Sequence, residues 1–445
     1  MTDVLFSFDT EDFTSAPAAE AILREAEILR AEGVRAGFCV VGYLAEQLKN
    51  WGRDDVIEAL GHHDLLTHTL GHSVHPTLNE YTDVADFDVA YERMRAQEDR
   101  AIGMLQSTFK NAKILGACPP GNQKSYVGMY GYADMGLPIY ADTFCDTADG
   151  EGVFYCNIYH MQYTRGMDRL LMQATEQDLD ALLDRLAAYR RVILYAHPNM
   201  AMFTEFWDAI NYYKENKCAF GEWKEAPRRT EEESERFYEN LRTLIRKIKR
   251  DARFSITCYS AVADALAAEP ARVITREHLQ GIRASMQVGL APIRTPVSFS
   301  VADVFLACRD LLCGAHSHTC GRTYGFLEAP YAIDREVVVT AREIVDAAKA
   351  MDVSRFLPTR ILVGAHTLGP ADWLRGALDV LCGEKTVCVT PGAALPSLDV
   401  LPQLKDLRLT GWVQSDDFED RYLSNRLRLQ SWTMRFLTAH KDGAL

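Results

Sequence analysis

Residues 61–76 read GHHDLLTHTLGHSVHP. Gly61 marks a turn, Asp64 to Thr67 has the make-up of a short buried strand, and His68 and His72 follow four positions apart, with His75 just before a proline. The whole chain has only 12 histidines in 445 residues, so this crowding asks for a cause. On a helix or in a tight turn, positions i and i+4 face the same way and bring two imidazoles over one point. Alone, such a pair is often two solvated rings. Here it stands at the end of a strand, and the surrounding sequence repeats that arrangement.

Upstream, the apolar run VLFSF (Val4 to Phe8) ends in Asp9, Glu11 and Asp12. The stretch AAEAILREAEILRAEG then has helical spacing and stops at Gly33, and RAGFCVVG is a second strand. A helical segment leads to the DLLTH strand, and a longer one, 85–109, leads to KILGACPPGN, a strand that breaks into a Pro-Pro-Gly turn. LPIYAD is another strand, and the amphipathic EQDLDALLDRLAAYRR feeds VILYAHP, which ends at His197. A helix over 231–249 precedes RFSITCYS. Strand and helix signals in alternation imply a parallel sheet or barrel. In such folds the carboxyl ends of the strands share one rim, where sites are built. The chemistry-bearing residues fall at those ends in order: Asp9 to Asp12, His68, Pro119 to Gly121, and His197.

Composition narrows the function classes. A formal net charge of −14 argues against nucleic acid or an anionic membrane as main partner. No apolar run is long enough to span a bilayer. The N-terminus lacks the basic and apolar regions of a signal peptide, and 11 scattered cysteines suggest reduced thiols, so a cytoplasmic location is expected. The length predicts two domains. The break is placed at 268/269, where strand–helix alternation gives way to helical stretches (ITREHLQGIR, SVADVFLACRDLL, TAREIVDAAKAM, PADWLRGALDVL) and a polar, Gly-rich loop, GAHSHTCGRTYG. The long aromatic segment MFTEFWDAINYYKENKCAFGEWKEAPRR after His197 is read as a cover over the site, with Phe206, Trp207 and Trp223 as contacts to substrate.

One carboxylate and two imidazoles make a facial metal set with open positions, and a second carboxylate beside it would serve as general base. By strand alternation Asp9 and Glu11 face together and Asp12 away, unless a turn after Thr10 brings Asp12 round. Asp9, directly after the apolar run, suits the base. The metal carboxylate is Glu11 or Asp12, with a slight preference for the shorter Asp12.

The set resembles the polysaccharide deacetylase (NodB-homology) family over about residues 1–265. SFDTED is similar to its first motif, THTLGH to its metal-binding histidine motif, CPPGN to its Arg-x-Pro-x-Gly turn, and LYAHP to its Leu-x-His motif. The resemblance implies an irregular (β/α)7 barrel. It implies a divalent metal, zinc by expectation, held by His68, His72 and one acid of Glu11 and Asp12. It implies Asp9 as base, His197 as acid toward a leaving amine, and substrate contacts at Pro120 and Gly121, with backbone N–H groups near Gly121 stabilising an oxyanion. Cys118 stands where the family has an arginine that orients the base, and Arg165 is a possible substitute. A nucleophilic role for Cys118 is disfavoured, since nearby acids raise a thiol's pKa. About residues 335–382 resemble a pseudomurein-binding repeat, the competing reading being a helical packing or oligomerisation domain. HSHTCG (His316, His318, Cys320) is read as a mobile polar loop rather than a metal site. The resulting expectation is a metal-dependent hydrolase of a C–N amide bond, acting on an N-acyl amino sugar or related small amide. A cyclic amide hydrolase and a degenerate glycan-binding protein are the alternatives.

Overall fold

The computed structural model describes residues 1–438 except 111, 122, 143–146, 148, 215, 295, 354, 398, 400–403, 405, 406, 408 and 410–412. The strands of the first half are β1 (Thr2–Thr10), β2 (Gly37–Val40), β3 (Asp64–Thr67), β4 (Ile114–Ala117), β5 (Ile139–Asp142), β6 (Val153–Tyr155), β7 (Ile158–Gly166), β8 (Arg191–Ala196) and β9 (Phe254–Ile256). Seven of them close a ring in the order β1-β2-β3-β4-β5-β7-β8, and β8 pairs again with β1. β1 is parallel to β2 and β8, β3 to β2 and β4, β4 to β5, and β7 to β8. The fold is therefore an irregular (β/α)7 barrel, with β9 added beside β1 outside the ring. β2, β3, β4 and β5 are buried along their whole length. A strand covered on both faces needs apolar residues throughout, so these read as continuous runs rather than alternating ones.

The outer helices carry their own start and stop signals. Glu231–Arg250 begins at Thr230, whose side chain forms a reciprocal box with Glu233, follows with three glutamates, and ends in Lys247, Lys249 and Arg250. Both charge runs complement the helix dipole. Phe87–Thr108 is capped by Asp86, which accepts from the N–H groups of Asp88 and Val89.

Two compact units divide the chain. The barrel unit comprises 1–152, 160–266 and 407–423, and the second comprises 153–159, 267–406 and 424–445. The single break drawn at 268/269 lacks these exchanges. A segment of 17 residues beyond position 400 returns to the barrel unit, which no composition shift announces.

The second unit has its own core, centred on Phe305, Phe326, Trp373 and Trp432. Helices Leu279–Val288, Val301–Leu312, Ala341–Ala350 and Pro370–Leu381 surround it. Short antiparallel ladders join β10 (Val273–Thr275) to β11 (Ser317–Thr319), β12 (Val337–Thr340) to β15 (Thr386–Val389), and β13 (Ile361–Val363) to β14 (His366–Leu368). Ser317–Thr319 of the HSHTCG stretch thus form a paired strand where a mobile loop was expected, and His318 Nδ1 lies 2.7 Å from Asp310 Oδ2. Among the described residues the cysteines are free thiols, and no helix is long and apolar enough to cross a membrane.

Candidate metal and acid–base site

β1 ends at the barrel rim, and the residues leaving it set the first carboxylates. Asp9 and Glu11, two apart, are both buried. Glu11 Oε2 lies 2.7 Å from His72 Nε2 and 3.6 Å from His68 Nε2, so one carboxylate and two imidazoles bring three donor atoms together. Asp12 is not among them. Its Oδ1 accepts from the Thr14 N–H at 2.9 Å and the Thr14 hydroxyl at 2.7 Å. Burial pushes its pKa up to about 7 against those bonds. Glu11, not Asp12, faces the imidazoles, which reverses the preference for the shorter acid: the chain turns after β1, but the turn closes on Asp12 itself.

The far nitrogens of both rings are committed. His68 Nδ1 donates to the Cys118 carbonyl at the end of β4. His72 Nδ1 lies 2.7 Å from Ser73 Oγ, whose hydroxyl donates to Asp208 Oδ2 at 2.7 Å. With Nδ1–H facing outward, each ring directs Nε2 at Glu11. That is the way metal-ligating imidazoles are oriented by the groups behind them. Burial alone would strip His72 of its proton, but Glu11 beside it holds the pKa up. A divalent cation would take that proton's place, so the donor set fits the metal that the sequence suggests.

The loop carrying the two rings is tightly bent. Thr69 and His72 take positive φ of 64° and 54°, conformations uncommon for such residues. They are pinned from outside. Gly42 N–H donates to the Thr69 carbonyl and Tyr43 N–H to the Leu70 carbonyl, both at 3.0 Å. Glu98, buried near this loop, accepts 2.9 Å bonds from the hydroxyls of Tyr81 and Tyr132, and the Leu70 N–H beside it favours its ionised form.

On the other side of Asp9 stands a different histidine. His197 Nε2 is 3.6 Å from Asp9 Oδ2. Both its Nδ1 and its backbone N–H donate to Asp168 at 2.8 Å. Burial lowers its proton affinity, but Asp168, then Glu11 and Asp9, more than offset this and push its pKa up to about 10. Asp9 itself is held through Oδ1 by the Tyr163 hydroxyl at 2.8 Å. Cys118 Sγ sits 3.7 Å from the same oxygen and 3.0 Å from the Tyr163 hydroxyl. A neutral phenol thus stands where the resemblance leads one to expect an arginine. Arg165 does not substitute: it is exposed, past a register irregularity in β7. Burial, with Cys39 and Asp9, pushes the Cys118 thiol up, which disfavours a nucleophile, while its Sγ makes a second trio of donor atoms with Asp9 and His68.

The aromatic cover is present, but its residues divide differently than expected. Trp207 is only 1% exposed, with ring centroids 5.3 Å from His72 and 4.8 Å from Phe13. It is a wedge behind the His72 ring, not an open contact. Phe206 packs edge-on to His197 at 4.9 Å. Trp223 joins Phe13 and Phe220. Pro120 is buried in the turn after Cys118, and Gly121 has φ 58° with a Cβ position 3.1 Å from Val413. Packing and backbone together account for that glycine.

Neither a family model nor a curated protein matches the chain. Solved structures give faint likenesses. A Mycobacterium smegmatis protein described as a polysaccharide deacetylase is 15% identical, covering 60% of this chain and 90% of its own, with a TM-score of 0.40. A Pseudomonas aeruginosa PAO1 protein described likewise is 14% identical, covering 59% and 90%, with a TM-score of 0.36. A CE4 family pseudoenzyme from Bacillus anthracis is 14% identical, covering 59% and 66%, with a TM-score of 0.34. At these values none carries a residue's role across.

Asp168, Tyr163, Ser73, Asp208 and Glu98 were not singled out from sequence. Ser73 directly follows His72, but each of the others reaches the site from a separate element and shares no spacing with the residue it holds. The nearest signal was Asp168, a polar residue two positions past the stretch 158–166, whose tyrosines and missing alternation hid β7.

Proposed function

We propose that the protein is a metal-dependent hydrolase that cleaves a C–N amide bond, with an N-acyl amino sugar or related small amide as substrate. One observation carries this reading. Asp9 stands between two kinds of histidine: a pair with Nε2 turned on Glu11, and a single ring that Asp168 keeps protonated. A divalent ion held by Glu11, His68 and His72, zinc being the expected one, would supply positive charge to polarise an acyl oxygen and ease loss of a water proton. Asp9 Oδ2 faces the site and can accept that proton, while Tyr163 holds Oδ1 still. His197 carries a proton on Nε2 for the departing amine, and Asp168 balances the imidazolium's charge before the transfer and keeps the ring oriented after it. Trp207 and the cover wall His72 from water, and the Pro120–Gly121 turn offers backbone to the substrate.

Metal analysis of the purified protein, followed by amine release from a panel of N-acetyl compounds and cyclic amides, tests the proposal. About one ion per chain with amine release that Asp9→Asn abolishes supports it. Ring opening without deacetylation selects the cyclic amide alternative. A metal-free protein that binds glycans without releasing amine is the degenerate binding protein instead.

A further inference from the structure

Cys118 has no part in the chemistry above, yet its sulfur is placed among ligand atoms. Asp9 lies near the end of β1, His68 follows β3 and Cys118 follows β4. All three are buried, and each puts a ligand atom within 4.8 Å of the other two. Cys118 Sγ is 3.7 Å from Asp9 Oδ1. Metal bonds of about 2.3 Å to sulfur and about 2.1 Å to oxygen would set those two atoms about 3.6 Å apart across a tetrahedral edge. The observed separation therefore already suits one ion, with no rearrangement of the two side chains.

The donors are held from behind by neutral groups. The Tyr163 hydroxyl donates to Asp9 Oδ1 at 2.8 Å, lies 3.0 Å from Cys118 Sγ, and is itself 2.9 Å from Ser7 Oγ. The Cys118 N–H donates to the Thr67 carbonyl at 2.8 Å, which ties its backbone to the residue before His68. The protonated His197 approaches Asp9 through the other oxygen, Oδ2. His68 can serve only one set of ligands at a time. Its Nδ1 is tied to the Cys118 carbonyl, so a single lone pair, on Nε2, is left to give. Glu11, His68 and His72 on one hand and Asp9, His68 and Cys118 on the other are thus alternatives, not two halves of a two-ion centre. The first set offers oxygen and nitrogen alone. The second adds sulfur, which favours softer ions.

We infer that Asp9, His68 and Cys118 form a second metal site, for a thiophilic divalent ion, and that filling it takes Asp9 out of service as a base. The thiol keeps its proton until the ion arrives. The S–H bond then breaks as the S–metal bond forms, the proton passes to the buffer, and no electron changes hands. The site stands on the donor geometry alone, whereas the loss of a base rests on the hydrolase reading.

Titration of the full chain with cadmium chloride, followed by the near-ultraviolet thiolate-to-cadmium absorption, tests it. Exposed thiols such as Cys313 and Cys388 give a background common to every variant, so the reading is a difference. Wild type should bind one more thiolate-held ion per chain than the nearly isosteric Cys118→Ser, and than Cys118→Ala, which guards against a hydroxyl that disturbs the barrel. Glu11→Gln, which lacks the first set of ligands, should still show that ion. Turnover of wild type should fall as the ion binds, and Cys118→Ser should resist the loss. The extra signal in wild type, with no amine release from any substrate, keeps the site and overturns the hydrolase reading. Equal cadmium signals in wild type and both Cys118 variants overturn the site.

Discussion

Two sides of the same barrel rim treat histidine in opposite ways. His68 and His72 have their Nδ1 atoms tied to a carbonyl and to a hydroxyl, whereas His197 has its Nδ1 tied directly to a carboxylate. A neutral acceptor behind an imidazole fixes which nitrogen carries the hydrogen and leaves the other as a lone pair. A carboxylate in the same place stabilises the imidazolium. At His72 a carboxylate is also present, but Ser73 stands between it and the ring: Asp208 Oδ2 is 3.6 Å from Nδ1. The group behind the ring, more than the ring, separates a metal ligand from a proton donor.

The largest expected effect breaks the metal side alone. Glu11→Gln, or His68→Ala with His72→Ala, should leave the purified protein without its ion by elemental analysis and reduce turnover to background. His197→Ala should keep the ion and lose roughly 10²–10⁴-fold in kcat, the usual range for a general acid. An ion retained in the double histidine variant would move the metal elsewhere.

A smaller effect comes from exchanging the group behind the ring. Asp168→Asn keeps a hydrogen-bonding shape but removes the charge that holds His197 up to about 10. Its pKa should fall toward the ordinary histidine range, so the alkaline limb of the pH–kcat profile should move to lower pH. A roughly ten-fold or greater loss of kcat at pH 8 is expected, with metal content intact. An unmoved limb would mean that Asp168 only orients the ring. Asp12→Asn should do less still, since its oxygen serves Thr14, and both ion and rate should persist. A lost ion in that variant would restore Asp12 as a ligand.

Those contrasts show what could be read along the chain. The barrel was legible because its strands end in the polar residues of the candidate site, and alternation alone put Asp9 and Glu11 on one face. The choice between Glu11 and Asp12 was not, because it turned on a local bond to Thr14 that competes for the shorter acid. Tyr163 was hidden for a different reason. It holds Asp9 from across the barrel, 154 positions away, and a phenol carries no spacing that marks it as a partner of a base. The returning segment 407–423 was hidden for the same reason on a larger scale, since its contacts with Glu80 and Asp83 are made by backbone N–H groups that any residue supplies.

The smallest effect on activity tests how the metal side is held from behind. Glu98 lies in the helix Phe87–Thr108, accepts from Tyr81 and Tyr132, and is influenced by the Leu70 N–H of the loop between His68 and His72. Burial pushes its pKa up to about 7, against the lowering effect of those three donors. A carboxyl whose folded pKa exceeds its unfolded value of 4.5 contributes stability that is complete below pH 4.5 and is lost as pH rises through 7. The gap of about 2.5 units corresponds to roughly 3 kcal/mol at most. Glu98→Gln cannot titrate. Relative to wild type, it should gain stability between pH 4.5 and pH 8 by up to that amount, read from urea midpoints at each pH. The glutamine oxygen still accepts from the tyrosine hydroxyls, so turnover should change less than about three-fold. A stability difference that stays flat across this window would show that Glu98 ionises in the folded protein as easily as in the unfolded chain. The tyrosines would then hold a carboxylate, and the loop beneath His68 and His72 would be anchored by charge rather than by a neutral acid.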